Sequence, residues 1–394
     1  MKKRQISFAI MMITIILILA ACRSLHTQSA KTLKINGIEN FQPISSGKEN
    51  YLLYYPADIR ANQNNTIVKE INKKGELVRQ YEIEDKSFRR MEVHQKPNDL
   101  ERLYISLFGE ATFDNHYYIY ELTYKKFHKV ALDYFDYIVG VSHILHYGKD
   151  ILFQTLVSHK TGEQNYNPLI QSFQMSISDA TTKESFETEY GNVPRSLPLV
   201  QFQDKILYAN SGQYKETYEN FGVGVIDLEK QSVSYLSPQK NADLIPLYAT
   251  KEYAFILNEF SGGELYVYDQ NFNYQTYLPF QDIPAPEQFY LESCQPLFLN
   301  ETTALYAVRS QTKGILLGLM FFRAIPEFQI LEKDYMEPQS EYRLLYQDYH
   351  EKEIYLIRSN MRQESLLILS SETLELLHEI PIADAHLLDF VVKN

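Results

Sequence analysis

The feature that most constrains the fold of this chain is a repeat in which an apolar strand, a polar turn and a second strand follow one another. The turns recur at a mean spacing of about 50 residues, near positions 72, 124, 181, 230, 271, 325 and 372. A further apolar run comes before each of these hairpins, at residues 51–55, 103–107, 151–156, 205–209, 253–257, 304–308 and 354–357. The runs are rich in β-branched and aromatic residues, which are typical of strands. No amphipathic helix is predicted after residue 33.

Most copies of the repeat carry one more run at their start, for example at residues 138–144, 197–202 and 342–346. Four strands per copy at this period are typical of a propeller blade. One blade cannot bury both of its faces, so neighbouring blades must stack and the ring must close. The terminal run 387–392 is predicted to add a strand to the first copy and close that ring. We therefore predict an all-β protein with a single β-propeller over residues 33–394. Seven four-stranded blades are favoured over six or eight.

This outline resembles the broad superfamily of WD-repeat-like, YVTN-like and TolB-like bacterial β-propellers. The resemblance spans roughly residues 35 to 394. It is one of architecture only, because the chain has no tryptophan and therefore no Trp-Asp dipeptide at the end of each blade. The 31 tyrosines and 22 phenylalanines are expected to fill the spaces between neighbouring blades, since aromatic side chains bury large areas.

The N-terminus has the layout of a secretory signal peptide. A basic start at residues 2–4 is followed by an apolar run at residues 6–19 and by the sequence Leu19-Ala20-Ala21-Cys22. The apolar run is short for an uncleaved membrane anchor, which needs roughly 20 residues. The ending resembles the bacterial lipobox, a pattern whose cysteine is lipidated and becomes the first mature residue. This resemblance implies a signal peptide over residues 1–21, lipidation at Cys22 and a lipidated tether over residues 22–32.

Charge bears on the partners that such a protein can have. The chain carries a net charge of −12, and removal of residues 1–21 with their three basic side chains leaves −15. This charge argues against a nucleic-acid partner and against electrostatic attraction to anionic lipid headgroups. Acyl chains on Cys22 are therefore expected to attach the protein to the membrane. The predicted location is extracytoplasmic, on the cell-surface or periplasmic side of a bacterial membrane.

The sequence predicts no metal site and no cofactor. Two cysteines are too few for a multi-cysteine metal site. His143 and His146 are three residues apart on a predicted strand, so they point to opposite faces and cannot share a metal ion. Residues 269–273 resemble part of a calcium loop but lack its glycine and its glutamate, and we interpret them as an ordinary turn. Gly222-Val223-Gly224 lies inside a strand and is not a dinucleotide-binding loop.

The links between the second and third strands are expected to gather on one face of the propeller, because successive turns of a blade alternate between its two faces. They are the segments 56–65, 109–115, 158–168, 210–220, 258–263, 309–313 and 358–364. Loops on a rigid scaffold often carry function, and the amides and tyrosines of these links suit glycans or peptides. The candidate ligand-binding residues are Asn165, Tyr166, Tyr214, Tyr218, Arg309, Lys313, Arg358 and Arg362.

These observations favour a membrane-anchored, non-catalytic binding or scaffold module for a glycan, a protein or another component of the cell envelope. One alternative is a propeller enzyme, a lyase or hydrolase, with its site in the central channel. Its candidate residues on the predicted inner strands are Glu92, His94, His143, Glu292, Glu341, Arg343 and Asp389. A second alternative is an envelope assembly or accessory factor, similar in role to the propeller lipoprotein of outer-membrane protein assembly.

Overall fold

The computed structural model describes most of the chain after residue 31. The described residues are 32–44, 49–57, 63–84, 90–95, 99–107, 116–132, 141–147, 150–155, 170–176, 179–186, 193–194, 199–211, 222–230, 232–236, 244–258, 263–281, 296–310, 314–360 and 363–394. The predicted signal peptide and Cys22 lie outside these residues, and the first described strand begins at Thr32, the last residue of the predicted tether. In the part of the chain that is described, no helix is long and apolar enough to cross a membrane.

Strands account for nearly all regular structure in the described residues. They are β1 (Thr32–Asn36), β2 (Asn50–Tyr55), β3 (Thr66–Asn72), β4 (Leu77–Glu84), β5 (Met91–His94), β6 (Arg102–Leu107), β7 (His116–Glu121), β8 (Lys126–Ala131), β9 (Val141–Tyr147), β10 (Asp150–Thr155), β11 (Ile170–Ser176), β12 (Asp179–Phe186), β13 (Val193–Pro194), β14 (Val200–Phe202), β15 (Lys205–Ser211), β16 (Val223–Asp227), β17 (Ser232–Leu236), β18 (Leu244–Ala249), β19 (Ala254–Asn258), β20 (Glu264–Tyr268), β21 (Tyr274–Tyr277), β22 (Leu297–Asn300), β23 (Thr303–Ser310), β24 (Gly314–Phe321), β25 (Glu327–Ile330), β26 (Glu341–Asp348), β27 (Glu353–Ser359), β28 (Glu364–Ser370), β29 (Leu376–Ile382) and β30 (Phe390–Lys393). Two short 3₁₀ helices span Ile38–Asn40 and Ala385–Leu387.

Hydrogen bonds join these strands into successive antiparallel sheets along the chain. Five sheets contain four consecutive strands each: β5–β8, β9–β12, β18–β21, β22–β25 and β26–β29. The first sheet has the order β1-β4-β3-β2-β30, in which β1 pairs with β4 in parallel. The sheet of β13–β17 is less regular, because β13 and β14 both pair with β15. The protein is therefore an all-β propeller with six regular four-stranded blades among the described residues, one fewer than the repeat predicted.

The last strand closes the ring. β30 pairs with β2, so that Val392 lies opposite Leu52 and Phe390 lies opposite Tyr54. The carboxyl-terminal strand is thus part of the first sheet, which confirms the closure predicted from the run 387–392. β30 covers the edge of β2 and becomes the innermost strand of the first sheet.

Buried apolar clusters fill the spaces between sheets. The largest combines side chains of β2, β7, β27 and β30, and its centre is aromatic. The ring of Phe390 lies 5.1 Å from that of Tyr54 and 5.3 Å from that of Tyr120, measured between centroids. The predicted packing role of the aromatic residues is confirmed, because Tyr54, Tyr120 and Phe390 are fully buried.

One predicted turn is wrong. The repeat predicts a turn near residue 181, but this residue lies in β12, which pairs with β11 from Asp179 to Phe186. The stretch is polar and turn-like in composition. Its β-branched Thr181 and Thr182 nevertheless fit a strand, and cross-strand pairing with β11 overrides the local preference. The other six predicted turns lie between strands.

Candidate functional site

One face of the propeller holds the described strand ends that flank the predicted ligand-binding links, together with the starts of the innermost strands. We call it the link face, the side on which the second strand of each sheet is linked to the third. Because strands alternate in direction, the first strand of a sheet begins at this face, where Met91 pairs with Leu107 and Glu341 pairs with Ser359. The described connection from β25 to β26, residues 331–340, also lies there.

Two of the predicted ligand-binding residues are described, and both lie in strands near the link face. Cys22 and six candidates lie outside the described residues: Asn165, Tyr166, Tyr214, Tyr218, Lys313 and Arg362. Arg309 lies near the end of β23, and its Nη1 is 3.8 Å from Oε1 of Glu341 in the next sheet. Both side chains of this pair are exposed, so Arg309 is open to solvent at the link face.

Arg358 lies in β27 and is only 5% exposed. Its Nη1 is 3.1 Å from Oε1 of Glu337 and donates to the carbonyl oxygen of Tyr335 at 3.1 Å. Its Nη2 donates to the carboxylate of Glu379. The guanidinium group therefore fixes the link between β25 and β26 to the sheet below it. A contact between Arg358 and a ligand remains a prediction, and any such contact has to compete with these internal partners.

A cavity of about 690 Å³ opens beside this link, between the sheets of β22–β25 and β26–β29. Its lining is partly apolar and partly charged, and consists of Ile315, Leu316, Leu331, Glu332, Lys333, Asp334, Met336, Glu337, Pro338, Gln339 and Tyr342. The volume falls within the range of about 300–1,000 Å³ that is usual for ligand sites. Of the charged lining residues, Glu337 is paired with Arg358 and Lys333 with Glu375, so Glu332 and Asp334 give the cavity its acidic character.

A second group of polar side chains lies where the innermost strands of two neighbouring sheets meet. Glu92 and His94 of β5 and His143 of β9 each have a ligand-type nitrogen or oxygen atom within 4.8 Å of the other two. The rings of His94 and His143 lie edge to face at 5.4 Å between centroids. Both histidines are 5% exposed, whereas Glu92 is partly exposed.

Strand geometry explains how β5 presents two of these side chains together. Successive residues of a strand point to opposite faces, and Met91 and Val93 pack into the cluster shared with the first sheet. Glu92 and His94 consequently share the other face of the strand. His94 is fixed by Ser106 of β6, whose Oγ lies 2.7 Å from Nε2 of the ring.

The surroundings shift the protonation of this group. Burial, with the nearby rings of His143 and His146, holds the pKa of His94 well below its usual value, so that its imidazole is neutral at pH 7. Burial also raises the pKa of Glu92, an effect that His143 and Arg90 oppose. A neutral imidazole beside a carboxylate is suited to bind a cation or to take part in proton transfer.

An ion pair adjoins these residues. Asp389, at the start of β30, accepts a hydrogen bond from the backbone N–H of Met91 at 3.0 Å. Nη1 of Arg343 lies 3.7 Å from its Oδ1, and burial raises the pKa of Asp389 although Arg343 opposes the shift. Glu92 also raises the pKa of Asp389, which shows that the two carboxylates lie within electrostatic reach of each other.

The structure therefore brings together five of the seven inner-strand candidates: Glu92, His94, His143, Arg343 and Asp389. Glu341 lies apart from them in the exposed pair with Arg309, and Glu292 lies outside the described residues. The sequence names His94 and His143 among the inner-strand candidates but does not predict that they contact each other. His146 packs on Tyr104, with ring centroids 4.1 Å apart. The partner of His143 is His94, which occurs about one repeat period earlier.

The fold places the chain among the β-propellers. No protein-family model matches the chain, and no characterised protein sequence matches it. Among solved structures, acylaminoacyl peptidase gives a TM-score of 0.51 at 12% identity. The alignment covers 85% of this chain and 50% of the peptidase.

Two bacterial structures give lower scores. TolB from Acinetobacter baumannii has a TM-score of 0.44 at 13% identity, over 75% of this chain and 66% of TolB. A protein from Lactobacillus plantarum has a TM-score of 0.44 at 11% identity, over 71% of this chain and 82% of that protein. The chain thus spans slightly less than two thirds of TolB and half of the peptidase. At these identities the likeness concerns the β-propeller fold alone.

Proposed function

We propose that the chain is an extracytoplasmic bacterial lipoprotein, anchored through acyl chains on Cys22, whose propeller binds a protein component of the cell envelope at the link face. The cavity of about 690 Å³ on that face is the observation that carries the binding role. Its carboxylates beside leucine, isoleucine and methionine side chains suit a peptide segment with apolar and basic residues. A glycan is the alternative ligand.

The proposal includes seven blades. The less regular sheet of β13–β17 is the seventh, and its packing supports this assignment. Leu199 and Ile206 share an apolar cluster with Leu152 of the preceding sheet. Val200 shares another cluster with Ile256 of the following sheet. A sheet that packs on both neighbours is a member of the ring.

The anchor is tested by changing Cys22 to Ala in the full chain. The lipid is attached to the cysteine sulfur, so the variant should incorporate no radiolabelled palmitate and should accumulate as unprocessed precursor. Normal labelling and maturation of the variant would show that Cys22 is not the anchor.

The binding site is tested by reversing charge in the cavity. The double variant Glu332→Lys and Asp334→Lys should lose a partner that the wild type recovers from envelope extracts, because basic partner residues would then be repelled. Glu229→Lys is the matched control, since Glu229 is an exposed acidic residue in the turn between β16 and β17 on the opposite face. Equal recovery of every partner by the double variant and the control would remove the cavity from the binding site.

A second candidate function is a propeller enzyme with its site at the inner-strand ends. The buried pair His94 and His143 beside Glu92 favours it, because such a group can supply a general base or hold a catalytic metal. The measurement is cleavage of envelope peptides or polysaccharides, by hydrolysis or by a lyase reaction. Activity that is lost in His143→Gln and kept in the cavity variant would support the enzyme. Equal activity in His143→Gln would refute it.

A further inference from the structure

We propose that Glu92, His94 and His143 together bind one divalent transition-metal ion of the Zn²⁺ class. This inference goes beyond the proposed binding function, which concerns the lipid anchor and the cavity, and it holds whether or not the second candidate, the enzyme, is correct. Two imidazoles and one carboxylate are a donor set that borderline divalent ions prefer.

The geometry fits three protein ligands around one ion. The three ligand-type atoms already lie within 4.8 Å of one another. Metal bonds of about 2.0–2.2 Å in a tetrahedral arrangement place neighbouring ligand atoms about 3.3 Å apart. Side-chain rotations that move each atom inward by about 1 Å therefore suffice to close the site. No strand of the propeller has to shift.

His143 supplies an independent indication of a ligand. Its Nδ1 is buried and has no hydrogen-bond partner among the described residues. Buried polar atoms are nearly always paired, so an unpaired ring nitrogen beside a second histidine calls for a specific partner. A metal ion at the centre of the three side chains would satisfy this atom.

The neighbouring residues provide the support that metal ligands normally have. The Oγ of Ser106 lies 2.7 Å from Nε2 of His94, and this hydrogen bond fixes the orientation of the ring. A register shift in the pairing of β9 with β10 lies next to His143, because Gln154 pairs with His143 and the next residue, Thr155, pairs with Val141. A bulge of this kind redirects the side chains next to it, here beside His143.

Three protein ligands leave an open coordination position, as catalytic and ligand-exchange metal sites do. Glu92 is the partly exposed member of the set, whereas both histidines are buried. The open position therefore lies on the side of Glu92, where water or an anionic group from solvent can reach the ion.

The test uses the full chain, purified in detergent with a tag that contains no histidine and stripped of metal with a chelator. Zn²⁺ binding is measured by isothermal titration calorimetry, and Co²⁺ binding by visible ligand-field absorption. The wild type should bind one ion per chain. Glu92→Gln and His143→Gln should each raise the Kd at least about tenfold, since each removes one of three ligands.

His350→Gln is the matched control. His350 is an exposed histidine beside Glu351, so it reports adventitious binding by surface histidine and glutamate. The Tm of each metal-free variant shows whether it folds, and Glu92→Gln decides the question if His143→Gln does not. The inference is overturned if the wild type binds no stoichiometric ion, or if Glu92→Gln binds Zn²⁺ as tightly as the wild type and the His350→Gln control.

Discussion

Asp227 illustrates how a single carboxylate can organise a turn of this propeller. At the end of β16, its Oδ1 accepts a hydrogen bond from the backbone N–H of Lys230 at 2.9 Å. Its Oδ2 lies 3.2 Å from Nζ of both Lys205 and Lys230. These contacts, the backbone hydrogen bond first among them, lower the pKa of Asp227 to about 2.

The lowered pKa predicts a pH dependence. An unfolded aspartate has a pKa of about 3.9. The ionised carboxylate therefore contributes its full stabilisation above about pH 4, and this contribution is lost as the pH falls toward 2. The urea midpoint of Asp227→Asn should lie below that of the wild type at pH 6, and the gap should shrink between pH 4 and pH 2. Asp204→Asn, at the exposed partner of Lys205, should produce a smaller gap. A gap for Asp227→Asn that is independent of pH would contradict this account.

Arg358 and Arg309 form a natural comparison, because both were predicted to bind ligand and both form ion pairs. Arg358→Met should lower the free energy of unfolding by about 2 kcal/mol, since it removes a buried guanidinium group that several acceptors use. Arg309→Met should cost less than about 0.5 kcal/mol, because its pair with Glu341 is exposed to solvent. Urea unfolding of the two variants checks this difference. Equal losses would mean that Arg358 is not the internal support described here.

At the scale of elements, the closing strand is held by more than its pairing with β2. Nη2 of Arg343 in β26 donates to the carbonyl oxygens of Ala385 and Leu388, at 2.8 and 2.6 Å. The carboxylate of Glu364 accepts the backbone N–H of Ala385 at 2.9 Å. The last sheet thus fixes the 3₁₀ helix that precedes β30, and this positions β30 to pair with β2 of the first sheet.

Phe390 tests how much the closing strand contributes. Its fully buried ring meets Tyr54, Tyr120 and Tyr346 from three different sheets. Phe390→Ala should lower the free energy of unfolding by about 3–5 kcal/mol, the usual loss for a large buried aromatic. Leu377→Ala, at a position that is 43% exposed, should change it by less than about 0.5 kcal/mol. Denaturant unfolding monitored by circular dichroism measures both, and similar effects would contradict the packing described for β30.

The strands could be predicted from the sequence because apolar and β-branched runs recur at one period, and the closing run at 387–392 follows the same rule. The sequence also names Glu92, His94 and His143 as inner-strand candidates. Their contact could not be predicted, since it joins two repeats and depends on which face of each strand turns toward its neighbour. The burial of Arg358 was also hidden, because its partners Glu337 and Glu379 lie in other strands and links. Sequence period determines the elements, whereas packing between them determines the side-chain groups.

At the scale of the whole molecule, the apolar clusters join every sheet to the next. The largest cluster contains residues of the first sheet, the second sheet and the last sheet together, which makes the two ends of the chain parts of one core. In a closed ring each sheet packs against two neighbours, so the unfolding of one sheet removes a packing partner from both of the sheets beside it. The central claim of this account is therefore that the first and last sheets unfold together with the middle of the chain.

Native-state hydrogen exchange of the full chain at increasing urea, read by mass spectrometry, tests this claim most directly. Amides of β2 and β27 should lose protection at the same urea concentration as those of β19 and β23, because closure by β30 joins them in one cooperative unit. If β2 instead exchanges in a separate transition at lower urea, the first sheet is not locked into the ring, and the closed propeller is contradicted.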